Sequence, residues 1–309
     1  MTSATVVLLA NPASGRGRSL AAAHSMAERL QILGVSTQLV CGTSAGDAQA
    51  QLADVVFESK PAAVVACGGD GTVSMALQAV AGTSTALGML PVGTGNDNAT
   101  AFGVPADPRA GADLVADVLR TQAFVEVDAG RVTSSDGVTR WFLGVLSSGF
   151  DSCVNERANA MTWPTGQARY VAAIVGELRV FRAVPYSLVI DAGLPSESRI
   201  DKPGMLVAVA NGPQYGGGMK VAPAARMNDG QLDVIFLDEL STPTFLRVFP
   251  SVYAGTHIRR PEVHQLKAST ISIDAPGQTV YADGERVGPL PAQIEIVPRT
   301  VRVLTRPLP

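Results

Sequence analysis

Four short stretches of this 309-residue chain gather the residue types that hold phosphate and move protons. NPASGRGR at residues 11–18 mixes turn residues with two glycines and two arginines. GGDGT at 68–72 sets Asp70 among three glycines and Thr72. GTGND at 93–97 carries Thr94, Asn96 and Asp97, and ADGE at 282–285 puts Asp283 and Glu285 on either side of Gly284. Glycine lets a ligand approach the backbone closely, and a helix N-terminus just beyond such a loop presents unpaired N–H groups to an anion. Phosphate is therefore the first candidate ligand for the three early loops. The late pair of carboxylates could face a reacting hydroxyl, one of them accepting its proton. Taken singly, each stretch also has a plain reading: a capped solvated loop, a turn at a sheet edge, or an Asp-Gly hairpin.

The elements that must position these loops follow from periodicity. In the first half, apolar runs of strand length (ATVVLLA, VSTQLVC, AAVVAC, ALGML) alternate with segments of helical spacing (LAAAHSMAERLQILG, AGDAQAQLADVVFES, TVSMALQAVA). Such alternation predicts an α/β layered domain with a mostly parallel sheet, whose ligands collect at the carboxyl ends of the strands. All three early loops fall at those ends. Near Asp128 the rhythm changes. A Ser-Ser-Asp-Gly turn lies between alternating polar and apolar runs, a helix is expected over YVAAIVGELRVFRA, and further strands over YSLVIDA, GMLVAVANG, QLDVIFL, TISIDA, TVYADG and AQIEIV. These predict an antiparallel, sandwich-like second domain with helical insertions. The division expected is 1–127 and 128–298, with the last strand, about 299–309, returning to the first domain.

Composition narrows the class. With 46% hydrophobic and 17% charged residues the chain is globular, and a net charge of −3 gives no support for nucleic-acid binding. Three widely spaced cysteines with no histidine cluster fit free thiols in a reducing compartment. The opening MTSATVVLLANP has no basic leader, and no uncharged apolar run approaches the length of a membrane span. Any membrane contact is expected to be peripheral. Neither a Gly-x-x-x-x-Gly-Lys phosphate loop nor a Gly-x-Gly-x-x-Gly fingerprint is present, which disfavours the two commonest nucleotide-binding readings.

NPASG, GGDGT, PVGTGND and the late DGE, in this order and at these distances, resemble the diacylglycerol kinase catalytic domain of bacterial soluble lipid kinases, relatives of the sphingosine and ceramide kinases. The resemblance spans almost the whole chain, including SSGFD at 147–151 and VANGPQYGGGMKVAPAARMNDGQLDV; GGDGT by itself is shared with NAD kinases. It implies an amino-terminal three-layer α/β nucleotide-binding domain, a β-sandwich-like second domain and an active site in the cleft between them. By position it implies that Asn11, Ser14, Gly15, Thr43, Gly69, Gly71, Thr72, Thr94 and Asn96 hold ATP. Asp70 matches the family's aspartate that organises the Mg2+ nucleotide, and Asp97 is expected as a polar neighbour in the cleft. Asp283 matches the proposed general base, and Glu285 supports it or the metal. Asp151, in SSGFD, is implied near the lipid hydroxyl, against which a structural place in a sheet-edge turn competes equally. Arg226, Asp229 and Gln231 match a second, structural magnesium site, against which a simple Asn-Asp-Gly hairpin competes.

The expected activity is ATP- and Mg2+-dependent phosphorylation of the free hydroxyl of diacylglycerol to phosphatidic acid. The expected location is cytoplasmic, with reversible contact at the inner membrane face; a homodimer stays open. Competing readings are a kinase of another lipid alcohol, such as a sphingoid base or monoacylglycerol, an NAD-kinase-like enzyme with a soluble substrate, and a catalytically silent nucleotide- or lipid-binding regulator. The segments MTWPTGQARYVAAIVGELRVF and TPTFLRVFPSVYAGTHI, with Trp163, Arg169, Tyr170, Arg179 and Phe181, are candidates for an interfacial surface or for ordinary helices packed on a sheet.

Overall fold

Runs of β-branched and aliphatic residues such as TVVLLA and AVVACG are too continuous to leave one face in water, and both become strands buried on both sides. The computed structural model describes residues 4–11, 17–93, 95–164, 167–178 and 180–306. The chain divides into two units, Met1–Ala129 with Pro298–Pro309, and Gly130–Val297.

The first unit alternates β1 (Thr5–Ala10), α1 (Arg18–Ile32), β2 (Ser36–Val40), α2 (Ala45–Ser59), β3 (Ala63–Gly68), α3 (Asp70–Val80), β4 (Ala86–Pro91), α4 (Asp97–Ala101) and α5 (Pro108–Thr121). Its strands run parallel in the order β4, β3, β1, β2. Val6, Leu8, Val65 and Leu90 of this sheet pack against Met26 and Leu30 of α1 and Val115 and Leu119 of α5. Parallel strands hydrogen-bonded in this way place the β3–α3 and β4–α4 turns side by side at one sheet edge. Thus the motif-bearing loops are neighbours because their strands are.

β5 (Val125–Ser134) leads out of the first unit, and the second continues with β6 (Thr139–Phe142), β7 (Val145–Gly149), α6 (Phe150–Ala160), α7 (Gln167–Leu178), β8 (Val184–Ile190), β9 (Ser198–Ala210), β10 (Leu232–Asp238), α8 (Thr242–Val248), α9 (Ser251–Ala254), β11 (Val263–Ala268), β12 (Thr270–Asp274), β13 (Thr279–Ala282), β14 (Glu285–Pro289) and β15 (Ala292–Val303). Pairing here is antiparallel. The first half of β9 lies on β8, and its second half runs between β7 and β10. A core of Phe142, Leu146, Leu188, Val207, Phe236 and Ile273 fills this unit. β15 begins against β12 and ends with Val303 beside Leu87 of β4, so the last residues complete the first unit's sheet.

The α/β unit and the β-sandwich-like unit are those the hydropathy rhythm predicts. Three local differences carry information. SSGF does not end in a turn: α6 starts at once, because Gly149 (φ 101°) reverses the chain and leaves Phe150 and Val154 to bury against α7 and α8. β11, whose sequence VHQLKA has weak apolar content, is held by its ladder on β10. α3 starts at Asp70, two residues before its apolar spacing begins. Among the described residues no helix is long and apolar enough to cross a membrane.

Candidate active site

In the first unit the GGDGT turn is closed by contact rather than by side-chain caps. Thr72 and Val73 donate their N–H groups to the Gly69 carbonyl, at 2.9 and 3.1 Å, which starts α3 with Asp70 in its first turn. A methyl group on Gly68 would collide with the Thr72 side chain. The β4–α4 turn lies directly against this one: a Cβ on Gly93 would sit 2.5 Å from the Gly69 α-carbon. Only glycine fits there. Asn96, in the left-handed region at φ 57°, fixes the second turn by accepting from the Gly93 N–H at 3.0 Å and donating to the Gly93 carbonyl at 2.9 Å. The sequence types thus serve backbone approach first, as phosphate-holding loops require.

Asp70 ties the two turns together. Its Oδ1 accepts from the Asn98 N–H at 3.2 Å, and its Oδ2 flanks Gly95, where an added Cβ would lie 2.8 Å away and 3.9 Å from Asp97 Oδ2. Two half-buried carboxylates, Asp70 and Asp97, are therefore gathered at one glycine. Two carboxylates at one glycine are oxygen ligands of the kind magnesium takes, since it uses few protein ligands and completes its shell with water and substrate phosphates. Among the described residues no group of three or more His, Cys, Asp or Glu side chains gathers to hold an ion without such help.

The other expected nucleotide residues are distributed unevenly. Asn11 is half-buried just beyond β1, and Gly71 and Thr72 lie in the first turn of α3. Thr43 is exposed and already engaged: its N–H and hydroxyl both donate to Asp47 Oδ2, at 2.7 and 2.8 Å, beside the Ser44 cap of α2. The Thr43 N–H first, then the Gln51 side-chain amide and the Thr43 hydroxyl, hold the Asp47 carboxyl below its ordinary range. Ser14, Gly15 and Thr94 lie outside the described residues. Cys67, at the end of β3, is a packing residue whose thiol burial pushes up to about 12.

In the second unit Asp283 and Gly284 form a two-residue hairpin turn, with φ of 49° and 81°, between β13 and β14. The Asp283 carboxylate reaches back to the turn before β7. Its Oδ2 accepts from Leu143 N at 2.8 Å and its Oδ1 from Gly144 N at 2.9 Å and Val145 N at 3.1 Å, while Asp283 N donates to the Val145 carbonyl at 3.0 Å. Three backbone donors fix the position of this charge. The 143–145 turn has no motif character in sequence, so only the fold reveals it as Asp283's partner. Glu285 follows at the start of β14, half-buried.

Asp151 lies in the first turn of α6. Its Oδ2 accepts from the Ser147 hydroxyl at 2.6 Å and Asn155 Nδ2 at 3.4 Å, and the Tyr215 hydroxyl also donates to it. Burial pushes this carboxyl above its ordinary range, outweighing the bonds from Ser147 and Tyr215. Tyr215 belongs to the PQYGGGM segment, which drew notice in sequence only as part of a longer stretch.

Arg226, Asp229 and Gln231 bear on the second metal. Asp229 Oδ1 accepts from Gln231 N at 3.1 Å, and its Oδ2 is 2.8 Å from Lys267 Nζ, which also lies 3.2 Å from Asp233 Oδ2. An ammonium therefore already sits on the carboxylate that the metal would need. Asp229 does not fit a divalent cation with Lys267 in place. Lys267 was not among the residues singled out from sequence, because nothing local links it to a turn 38 residues earlier.

Residues 5–132 match the diacylglycerol kinase catalytic domain family, and residues 144–305 match the family described as the YegS C-terminal NAD kinase beta sandwich-like domain. A diacylglycerol kinase of Mycobacterium tuberculosis is 41% identical over 301 residues, covering 97% of this chain and 94% of that protein. The crystal structure of a putative diacylglycerol kinase from Bacillus anthracis superposes with a TM-score of 0.76 over 99% of both chains at 21% identity. An NAD kinase from Archaeoglobus fulgidus, solved in complex with ATP, superposes with a TM-score of 0.51 over 97% of this chain and 92% of that one at 13% identity. The two structural likenesses show the fold.

Proposed function

The chain belongs to the diacylglycerol kinase family, and from that premise we propose that it transfers the γ-phosphoryl group of ATP to the free hydroxyl of diacylglycerol, giving phosphatidic acid and ADP. It is an ATP-dependent kinase by its catalytic domain and its full-length relative. The observation that carries the reading is the pair of glycine turns closed on each other, with Asp70 and Asp97 beside Gly95, inside the region of the catalytic-domain match.

Phosphoryl transfer asks little covalent chemistry of a protein and much positioning. The acceptor oxygen bonds to the γ-phosphorus as the bond from that phosphorus to the β–γ bridging oxygen breaks, and the hydroxyl proton passes to a base. We assign nucleotide holding to Asn11, Ser14, Gly15, Thr43, Gly69, Gly71, Thr72, Thr94 and Asn96. Asp70, with Asp97 beside it, would hold magnesium, whose charge offsets that of the phosphates. Asp283 is assigned as the base, with Glu285 supporting it and Asp151 at the lipid end. An aspartate's low pKa does not bar this role, since the hydroxyl becomes acidic once its bond to phosphorus has formed. A bilayer-borne acceptor implies reversible contact with the membrane surface.

The competing acceptor is a soluble dinucleotide, which the likeness of fold to an NAD kinase keeps in play. The test is the purified protein with labelled ATP and magnesium against a panel of diacylglycerol, monoacylglycerol, a sphingoid base and NAD. Labelled phosphatidic acid as the main product is the expected result. Label in NAD alone, or none in any acceptor, overturns the proposal.

A further inference from the structure

α7, QARYVAAIVGEL, is apolar on more than the face it buries. Ala173 and Leu178 point inward to a cluster with Phe150, Val154 and Phe245. Ala168, Val171 and Val175, at spacings of three and four along the same helix, point outward, with Val171 60% exposed. A helix apolar on both faces is expected where both are covered, and among the described residues the outer side chains of Val171 and Val175 stay exposed.

The outward apolar character continues beyond α7. Trp163 is 81% exposed, and Val180, Leu246 and Tyr253 are exposed as well. Together with Val171 and Val175 these make up half of the large exposed hydrophobic residues among those described, drawn from about one seventh of the chain, residues 161–183 and 241–260. Beneath them runs a continuous line of ring contacts, Phe181 to Phe150 at 5.5 Å, Phe150 to Phe245 at 4.8 Å, Phe245 to Phe249 at 5.8 Å and Phe249 to Tyr253 at 6.2 Å. The Thr242 hydroxyl adds a bond to the Leu178 carbonyl at 3.4 Å. α7, α8 and α9 are thereby joined into one packed layer.

Charge identifies the occupant. The two segments contain six arginines and one acidic residue, a net +5, in a chain whose total is −3, so the remainder carries −8. Glu177, the single acidic residue, is turned inward with 13% of its side chain exposed and is paired with Arg157 of α6 at 3.3 Å. Arg182 and Arg247 are exposed on this layer, Arg247 immediately after the exposed Leu246. Of the aromatic and basic residues expected to act at an interface, Trp163 and Arg169 remain at the surface, Arg169 half-buried with its Nε on the Pro164 carbonyl at 3.2 Å. Phe181 is half-buried beneath the layer, and the side chains of Tyr170 and Arg179 lie outside the described residues.

We propose that the outer face of α7, with α8 and α9, is a docking surface for an anionic lipid bilayer. Apolar side chains flanked by an exposed tryptophan and by cations of one sign suit the headgroup boundary, where burial and attraction to anionic lipid add. A protein partner would need acidic residues against a face otherwise lined by valines; an anionic bilayer supplies both features at once. The docking gains its purpose from the lipid kinase reading, but its test needs no catalysis.

The test is co-sedimentation with phosphatidylcholine vesicles, with and without phosphatidylglycerol, in the absence of ATP and diacylglycerol. The parent is expected to bind vesicles containing phosphatidylglycerol, less so as salt rises. V171E/V175E and R182E/R247E should each lower the partition coefficient by roughly tenfold or more. Both variants should melt as the parent does and retain its turnover on a short-chain diacylglycerol dispersed as monomers. A parent that stays in the supernatant, or variants that bind as the parent does, overturns the proposal. So does a concentration-dependent parent dimer that V171E/V175E abolishes, because a second copy would then cover this face. Binding of the parent without phosphorylation of any lipid upholds the docking surface and overturns the kinase reading alone.

Discussion

Asp283 Oδ1 accepts the N–H of Gly144 at 2.9 Å across 139 residues of sequence, and the neighbouring N–H groups of Leu143 and Val145 complete the hold. A hairpin turn and a strand entrance are thus locked together by one carboxylate. Hydrogen bonds to an ionised acceptor are about twice as strong as neutral ones. The same bonds that fix the carboxylate also draw on the acceptor capacity that its proposed role as base would use.

Asp283→Asn separates the two roles. The amide retains one oxygen acceptor and turns a donor group toward backbone donors, so at least one of the three bonds is lost. Melting should fall by an amount corresponding to about 1–3 kcal/mol. As proton acceptor, Asp283 is expected to cost about 10²- to 10⁴-fold in turnover when removed. The comparison is turnover per folded molecule at a temperature well below the variant's melting point. A variant that is less stable yet turns over normally when folded would remove Asp283 from proton transfer and leave it the anchor alone.

The glycine turns give a second expectation. Gly93→Ala places a methyl 2.5 Å from the Gly69 α-carbon, and neither backbone is a flexible side chain that could swing away. The two turns must part. Overpacking of this kind costs typically about 1–3 kcal/mol. Here it should also raise the KM for ATP more than the KM for lipid. Equal changes in both constants would show that the turns do not hold the nucleotide.

Much of this was legible in the sequence, for identifiable reasons. The α/β unit was readable because its strands are apolar without interruption and its helices keep a clean period, so α2 coincides with the expected segment at both ends. The grouping of GGDGT with GTGND was readable because parallel strands deliver their carboxyl ends to one edge. What was not readable depends on contacts far apart in sequence. The 143–145 turn, Tyr215 against Asp151, and Lys267 against Asp229 each require the antiparallel unit to be assembled before the partners meet. β11 escaped notice because its residues gain their order from β10 rather than from their own pattern.

Asp151 makes stability depend on pH in a stated direction. Burial raises its carboxyl above the ordinary value of 3.8, with Ser147 and Tyr215 opposing. The folded state therefore binds the proton more tightly than the unfolded state, and stability declines as pH rises from about 3.8 to the folded value. Asp151→Asn keeps a neutral side chain of the same shape and removes this decline. The variant should melt higher than the parent near neutral pH and approach it in acid, as read by thermal melts across a pH series. A parent and variant separated by the same interval at every pH would show that the carboxyl titrates in the fold as it does in water.

The last prediction concerns which cation serves the turn at Asp229. Lys267 Nζ stands 2.8 Å from Asp229 Oδ2 and 3.2 Å from Asp233 Oδ2. Burial lowers the ammonium's pKa, yet the two carboxylates raise it by more, and the net shift is upward. Lys267 therefore stays charged throughout the neutral range and supplies locally the positive charge that a metal would bring. Without nucleotide, whose phosphates would complete the magnesium shell at Asp70 and Asp97, the parent should melt at the same temperature in magnesium and in a chelator. Lys267→Met leaves Asp229 and Asp233 facing each other without a cation. Because Lys267 is 40% exposed, solvent screening limits the direct cost to about 1 kcal/mol or less. The diagnostic change is a new response: magnesium should now raise the variant's melting temperature, as a ligand that binds only the folded state does. Asp229→Ala in the same background should abolish that response. A parent already stabilised by magnesium, and losing the effect with Asp229→Ala, would show instead that the metal displaces Lys267 and is the native occupant of the turn.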